Sequence, residues 1–231
     1  DIEAMEGEES AAWVALLQHC TRARGAKPGQ KWSRDAEAVL EKIGRPTFEE
    51  TVVHWFPLVE RPRTRPAERG SQWQPDPNLL LQDENADILK ALAWLCARSR
   101  SAEVARALGA LALSAYRKVP QMGPRCVRLG NACVWALGAM PDAGGVGQLA
   151  MLRARVKFGT AQKEIEKAFN AAAIRSNSLV SMPETLSPRS PPATASSSAE
   201  RSGCSKPPAS RIHRGMTSPA MARDDSVYVG V

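Results

Sequence analysis

The side chains able to do chemistry are few and scattered. Cysteines stand at positions 20, 96, 126, 133 and 204, and no two of them form a Cys-x-x-Cys pair. A zinc site needs several thiolate or imidazole ligands at close spacing. An odd number of separated cysteines with apolar neighbours predicts reduced, buried thiols of a cytoplasmic protein instead. Cys126 and Cys133 are seven positions apart and would share a helix face, where core packing is the expected role. None of His19, His54 and His213 has a second ligand three or four residues after it. His54, beside Trp55, reads either as a helix-boundary histidine or as a partner-facing one. Gly144-Gly145-Val146-Gly147 lacks the Lys-Ser/Thr that follows in a phosphate-binding loop, and no strand precedes it. It reads as a turn between helices. The carboxylate pairs Glu49–Glu50 and Asp83–Glu84 fall in polar loops and helix starts, where they complement the helix dipole. No nucleophile–base set can be assembled, so the expectation is no catalytic residue, no metal and no cofactor.

Charge is the remaining signal. The chain of 231 residues carries a formal net charge of +7. Residues 1 to 175 hold 25 Lys/Arg against 20 Asp/Glu, and the cations cluster late: Arg117, Lys118, Arg125, Arg128, Arg153, Arg155, Lys157, Lys163 and Lys167. In stacked helical hairpins these fall near successive hairpin ends and would form one basic strip. Such a strip attracts acidic proteins or phosphate backbones. The competing reading is solvated helix surface, with Arg117 and Lys118 complementing a helix C-terminus. No aromatic residues interleave with the cations to stack bases.

The elements that must position these residues are helices. Between Asn85 and Arg175 five Ala- and Leu-rich runs are separated by Gly, Pro or Ser. Ala and Leu are strong helix formers. Ile88, Leu89, Leu92 and Leu95 recur at helical spacing, as do Val104, Leu108, Leu111 and Tyr116. Pro120, Gly123 and Pro124 break the second run from the third, and Met140-Pro141 ends the third. Thr160 is placed to cap the last. Setting Trp94 on Trp135 also sets Ala91 on Ala132, Leu108 on Leu149 and Leu111 on Leu152, all at an offset of 41. That period fits a HEAT- or armadillo-like array, whose repeats run ~40–47 residues. The alternative is that two Ala/Leu-rich hairpins match by composition alone.

Ahead of this region three more helices are expected. Residues 8 to 24 carry Trp13, Leu16, Leu17 and Cys20 on one face. A second runs from Trp32 to Ile43, with Ser33 as N-cap, Gly44 at its C-terminal end and Pro46 as a stop. A third starts near Thr47, where Thr47 and Glu50 have capping-box spacing, with Val52, Val53, Phe56 and Val59 inward. All of 8 to 175 is expected to be helical hairpins without a sheet. The predicted organisation is N-terminal hairpins over 1–60, a proline-rich polar loop over 61–78 containing Trp73, a helical-repeat domain over 79–175, and a tail over 176–231. The tail holds 13 serines and 7 prolines, against 6 serines in the first 175 residues. By composition it is a disordered segment. It reads either as a regulatory tail or as an out-of-frame C-terminus. Apolar residues make up 43% of the chain, but no run approaches the ~18 needed to cross a membrane. The acidic start (Glu3, Glu6, Glu8, Glu9) is unlike a signal peptide, and the initial Asp predicts a start inside a longer reading frame.

The segment ALGALALSAYRKVPQMGPRCVRLGNACVWALGAMP and, after it, QLAMLRARVKFGTAQKEIEKAFNAAA carry a further signal. Their most specific pieces are Tyr116-Arg117-Lys118-Val119-Pro120, Gly123-Pro124-Arg125, Gly130-Asn131-Ala132, Val156-Lys157-Phe158, and Lys163 with Ile165-Glu166-Lys167-Ala168. Over about Asp83 to Ala173 the chain resembles the helical region of large bacterial proteins related to the molybdate metabolism regulator MolR, which carry a domain of unknown function. The resemblance implies a helical fold, a bacterial intracellular setting and no established activity. In that family folded sequence continues past the last Ala-rich helix, whereas here the Ser/Pro-rich segment follows. That departure points to a truncated or frame-shifted member.

The expected function is a non-enzymatic helical-repeat scaffold that binds a protein partner. A fragment of a larger regulator or enzyme is the alternative, and nucleic-acid binding through the basic strip is a weaker one. If the array is unfinished, the helix from Thr160 to Arg175 is its open end. Its face of Ala161, Ile165, Ala168, Phe169 and Ala172 would then stay half wet and would favour self-association.

Overall fold

The computed structural model describes residues 7–62 and 76–180, with 176–180 by their backbone alone. The described residues form helices α1 (Gly7–Cys20), α2 (Gln30–Ile43), α3 (Arg45–Trp55), α4 (Asp83–Leu95), α5 (Ala102–Tyr116), α6 (Val127–Ala139), α7 (Ala143–Arg155) and α8 (Gly159–Val180). Short 3-10 turns at Phe56–Glu60 and Cys96–Arg98 extend α3 and α4, and another lies at Pro77–Leu79. The expected all-helical class holds, with one exception. Between α5 and α6 the chain makes a small hairpin of β1 (Lys118–Val119) and β2 (Gly123–Pro124), with Lys118 opposite Pro124 and Val119 opposite Gly123. The breakers Pro120 and Gly123 therefore do more than end helices. Gln121 (φ 66) and Gly123 (φ 97) take the left-handed conformation that turns the chain back on itself.

Several helix starts differ from expectation for local reasons. Gly29, not Ser33, caps α2, and the Ser33 N–H already donates to the Gly29 carbonyl at 2.9 Å. Gly44 does end α2, at φ 85, but it also precedes α3 directly. Pro46 falls in the first turn of α3, where a missing N–H costs nothing. Thr47 therefore lies inside that helix instead of capping it, and its carbonyl accepts from the Thr51 hydroxyl. Likewise Thr160 sits in the first turn of α8, which Phe158 begins by accepting from the Gln162 N–H. Met140 takes the extended ψ of 141° that Pro141 demands, so α6 ends where predicted. Ser101 caps α5, its hydroxyl accepting from the N–H groups of Glu103 and Val104. The composition break at Ser176 is not a structural end, because α8 runs on to Val180. The loop residues 63–75, Trp73 among them, and the tail from 181 onward lie outside the described residues.

The helices pack in two rows. In one, α1 lies on α4, α4 on α6 and α6 on α8; in the other, α3 lies on α5 and α5 on α7. The rows meet where α5 and α7 cross α6. Residues paired by the 41-residue offset are equivalent in burial: Ala91 and Ala132, Leu108 and Leu149, and Leu111 and Leu152 are all buried, though Trp94 is buried and Trp135 only half-buried. One core cluster runs through both the N-terminal helices and α4–α8. In its front part Trp13 stacks on Phe48 at 6.2 Å and leans on Trp55 at 5.0 Å. Further on, Trp32 meets Trp94 edge-on at 5.4 Å. The buried Lys90 ammonium donates to the Ala23 carbonyl and to Asp87 beside that Trp94 ring.

Two features correct the sequence reading. The glycines 144, 145 and 147 form no interhelical turn; they lie in the first turns of α7. A Cβ on Gly145 would stand 2.3 Å from the Leu137 backbone carbonyl of α6, so the glycine is what lets the two helices approach. The face of α8 is more covered than expected, although Ala168 and Phe169 remain half-buried. Ile165 is fully buried, Ala161 and Ala172 nearly so, and Phe169 is half-buried beneath the Arg153 guanidinium. The outward flank carries Gln162, Lys163, Glu164, Lys167 and Asn170.

Gly145→Ala should cost about 1–3 kcal/mol, because the atom it meets is backbone and cannot swing away. Gly109 offers the control. Its added Cβ would meet the flexible ends of Gln148 and Met151, so Gly109→Ala should stay within about 1 kcal/mol of wild type. Urea denaturation of both variants checks this, and an equal cost for the two would refute the backbone-contact argument.

Candidate partner-binding groove

The C-terminal ends of α5 and α7 open toward the β1–β2 hairpin, and one arginine fixes the arrangement from behind. Arg125 follows β2 directly. Its side chain is only 7% exposed. The guanidinium donates to the Val59 carbonyl at 2.9 Å, the Leu79 carbonyl at 2.9 Å, the Ser114 hydroxyl at 3.0 Å and Glu60 at 3.3 Å. Its backbone N–H donates to the Arg117 carbonyl, and that of Cys126 to the Ala115 carbonyl. A planar fork with five donors can satisfy such a divergent set; an ammonium cannot. Glu60 is the hub on the other side. Its carboxylate accepts from Ser114, from Arg125 and, at 2.7 Å, from Arg117. The Ser114 hydroxyl above all, then Arg117 and Arg125, hold the Glu60 carboxyl below the ordinary carboxylate range despite partial desolvation.

In front of this clamp lies a groove of about 830 Å³. Its floor is Ala110, Leu113 and Tyr116 of α5, Pro124 of β2, and Val156 and Phe158 from the turn between α7 and α8. Its rim is Arg117, Lys118, Arg155 and Lys157. The Tyr116 ring is pinned: a Cβ on Gly130 would meet it at 2.6 Å, and its hydroxyl donates to Asn131 at 2.7 Å. Burial raises its phenol well above the usual range. Lys157 folds back to the Ala154 carbonyl at the end of α7.

The nine cations of the sequence-derived strip thus have different surroundings. Arg125 is internal. Arg117 engages Glu60, Arg128 engages Asp83 at 2.6 Å and Asp87 at 3.7 Å, and Arg153 engages Glu166 at 2.8 Å. Among the described residues no carboxylate pairs with Lys118, Arg155, Lys157, Lys163 or Lys167, which are all exposed. The groove gathers Arg117, Lys118, Arg155 and Lys157, whereas Lys163 and Lys167 project from α8. Glu60 and Ser114 were not singled out in the sequence, and Phe158 was named there only as part of the resemblance, not as a groove residue. The one local signal was an acidic residue closing the apolar run Phe56–Val59.

The thiols lie elsewhere. Cys20, Cys96 and Cys133 are buried and free, and Cys126 is half-buried ahead of α6. Burial pushes the Cys20 thiol up to about 12 and those of Cys96 and Cys133 up as well. Among the described residues no group of three or more His, Cys, Asp or Glu is placed to hold a metal ion. His19 stacks on Trp32, its ring Nε2 lying 3.0 Å from the Trp32 carbonyl, and His54 is exposed in the last turn of α3. No helix among the described residues is long and apolar enough to cross a membrane. No family model, curated protein or solved structure matches this chain.

Arg125→Ala should destabilise by about 1–3 kcal/mol, through acceptors left unpartnered. Arg125→Lys should recover only part of this. Thermal melting of both variants checks it, and full recovery by lysine would show that charge, not the fork, matters. Glu60 adds a pH dependence. Its folded carboxyl is lowered, so its contribution is complete above the ordinary glutamate range and is lost as pH falls through that range. The stability gap between wild type and Glu60→Gln should therefore be present at neutral pH and close in acid. Chemical denaturation across pH measures it, and a gap independent of pH would contradict the assignment. The side chain is 45% exposed, so the gap should be small.

Proposed function

We propose that this chain is a non-enzymatic helical-repeat scaffold of the HEAT/armadillo kind, related to the MolR-like bacterial proteins it resembles, which binds a protein partner in the cytoplasm. The observation that carries the reading is a concave apolar floor bounded by four cations, three of which have no carboxylate partner among the described residues. Exposed apolar concavities with a charged rim are the usual form of a recognition surface. A two-row helical stack presents such a surface on a rigid support. The nucleic-acid reading has less support. Binding a phosphate backbone calls for a continuous set of available cations, and Arg117, Arg125, Arg128 and Arg153 are turned to acceptors within the chain.

Amine-reactive cross-linking in cells expressing the full chain, read by mass spectrometry, tests this. Protein adducts should concentrate on Lys118 and Lys157 relative to Lys27 and Lys31, which are exposed on the α1–α2 side. Protein adducts spread evenly over Lys118, Lys157, Lys27 and Lys31, or no protein adduct at all, would overturn the scaffold reading.

A further inference from the structure

The groove is specific enough in shape and charge to define what it holds. Taking the scaffold reading as its basis, we propose that it binds an extended acidic peptide segment whose apolar side chains anchor on the floor while its carboxylates meet the rim. The volume of about 830 Å³ suits a few side chains and not a folded domain. In an extended chain alternate side chains point to opposite sides, so apolar residues can enter while intervening acidic ones stay at the edge. The floor offers the half-buried Leu113 and Phe158, with the buried Val156 behind them. Two walls supply the charge: Arg117 and Lys118 from the hairpin side, Arg155 and Lys157 from the end of α7. A rim positive on both sides complements a ligand with carboxylates on both sides, and such complementarity sets specificity.

The same features disfavour a phosphate backbone. Tyr116 is held on Gly130 and Asn131, which leaves Phe158 as the available ring, whereas single strands are bound on successive aromatic platforms.

The test is fluorescence anisotropy with the full chain and short fluorescein-labelled probes. A peptide alternating glutamate and leucine should bind saturably. Peptides alternating glutamate with serine, or lysine with leucine, should bind at least about tenfold more weakly, since each lacks one half of the complementarity. The double reversal Arg155→Glu/Lys157→Glu should weaken the first probe at least about tenfold, with the circular dichroism spectrum unchanged because both side chains are exposed and with melting lowered only slightly by the acidic charge at the end of α7. The charge-matched control Lys27→Glu/Lys31→Glu should leave binding unaltered. Phe158→Ala should weaken the glutamate–leucine probe while leaving the weak glutamate–serine binding as it was. Equal loss in the two reversals would reduce the effect to net charge and overturn the proposal. Tighter binding of a labelled single-stranded DNA, lost on Arg155→Glu/Lys157→Glu, would replace the peptide by a nucleic acid. No saturable binding of the glutamate–leucine probe would remove the groove as a peptide site. If cellular protein adducts persist in the Arg155→Glu/Lys157→Glu chain, the scaffold reading stands and this assignment falls.

Discussion

Arg125 is the constraint on which the molecule depends. Its guanidinium reaches backbone carbonyls on both sides of the segment 63–75, Val59 before it and Leu79 after it. It also holds Glu60 and, through Ser114, α5. Four acceptors pointing in different directions are thereby satisfied by one side chain that is only 7% exposed, and the Val59 carbonyl and the Ser114 hydroxyl are the enclosed ones among them. Burying them without a partner would cost more than the bonds themselves return. The hairpin is the frame for this residue. The β1–β2 turn brings position 125 back beside Arg117 and aims the side chain inward, while Arg117 and Lys118 remain outside. The clamp and the groove rim are thus two faces of one local structure.

Close approach between helices is the second organising feature. Gly145 admits the Leu137 carbonyl, Gly130 admits the Tyr116 ring, and Ala168 packs where Gly138 has no side chain. Small residues at crossings bring the α6, α7 and α8 backbones together, which accounts for a core with few aromatics in that half. It also explains how α8 packs on α6 and α7. Its small and aliphatic residues fill the crossing, and its outer flank is polar enough to face solvent.

What the sequence made legible was the local part of this. The apolar stripe Val104, Leu108, Leu111 and Tyr116 is wholly buried, Gly44 ends α2, and Met140 ends α6, because each depends on neighbours within a turn or two. Cap assignments at Ser33, Thr47 and Thr160 failed because another residue a few positions earlier had already started the helix. The glycine run at 144–147 reads by composition as a turn between helices, although tertiary contact outweighs propensity there. The site was the least legible. Arg117, Arg125, Arg128 and Arg155 look alike in sequence, and their differing roles are decided by distant groups. Glu60 lies 65 positions from Arg125, and Asp83 lies 45 from Arg128. Periodicity carries no information over such separations.

The buried thiols have a consequence of a different kind. Cys20 ends α1, Cys96 follows α4, and Cys133 lies within α6, so one sulfur sits in each successive part of the stack. Only a thiolate attacks an alkylating reagent, and burial keeps all three protonated. Each sulfur becomes reactive only when its own part of the core opens to water. Local opening free energies range from near zero up to the global value. The three sulfurs are therefore built-in timers, and their separate rates of modification would map the order in which the stack breathes from one end to the other.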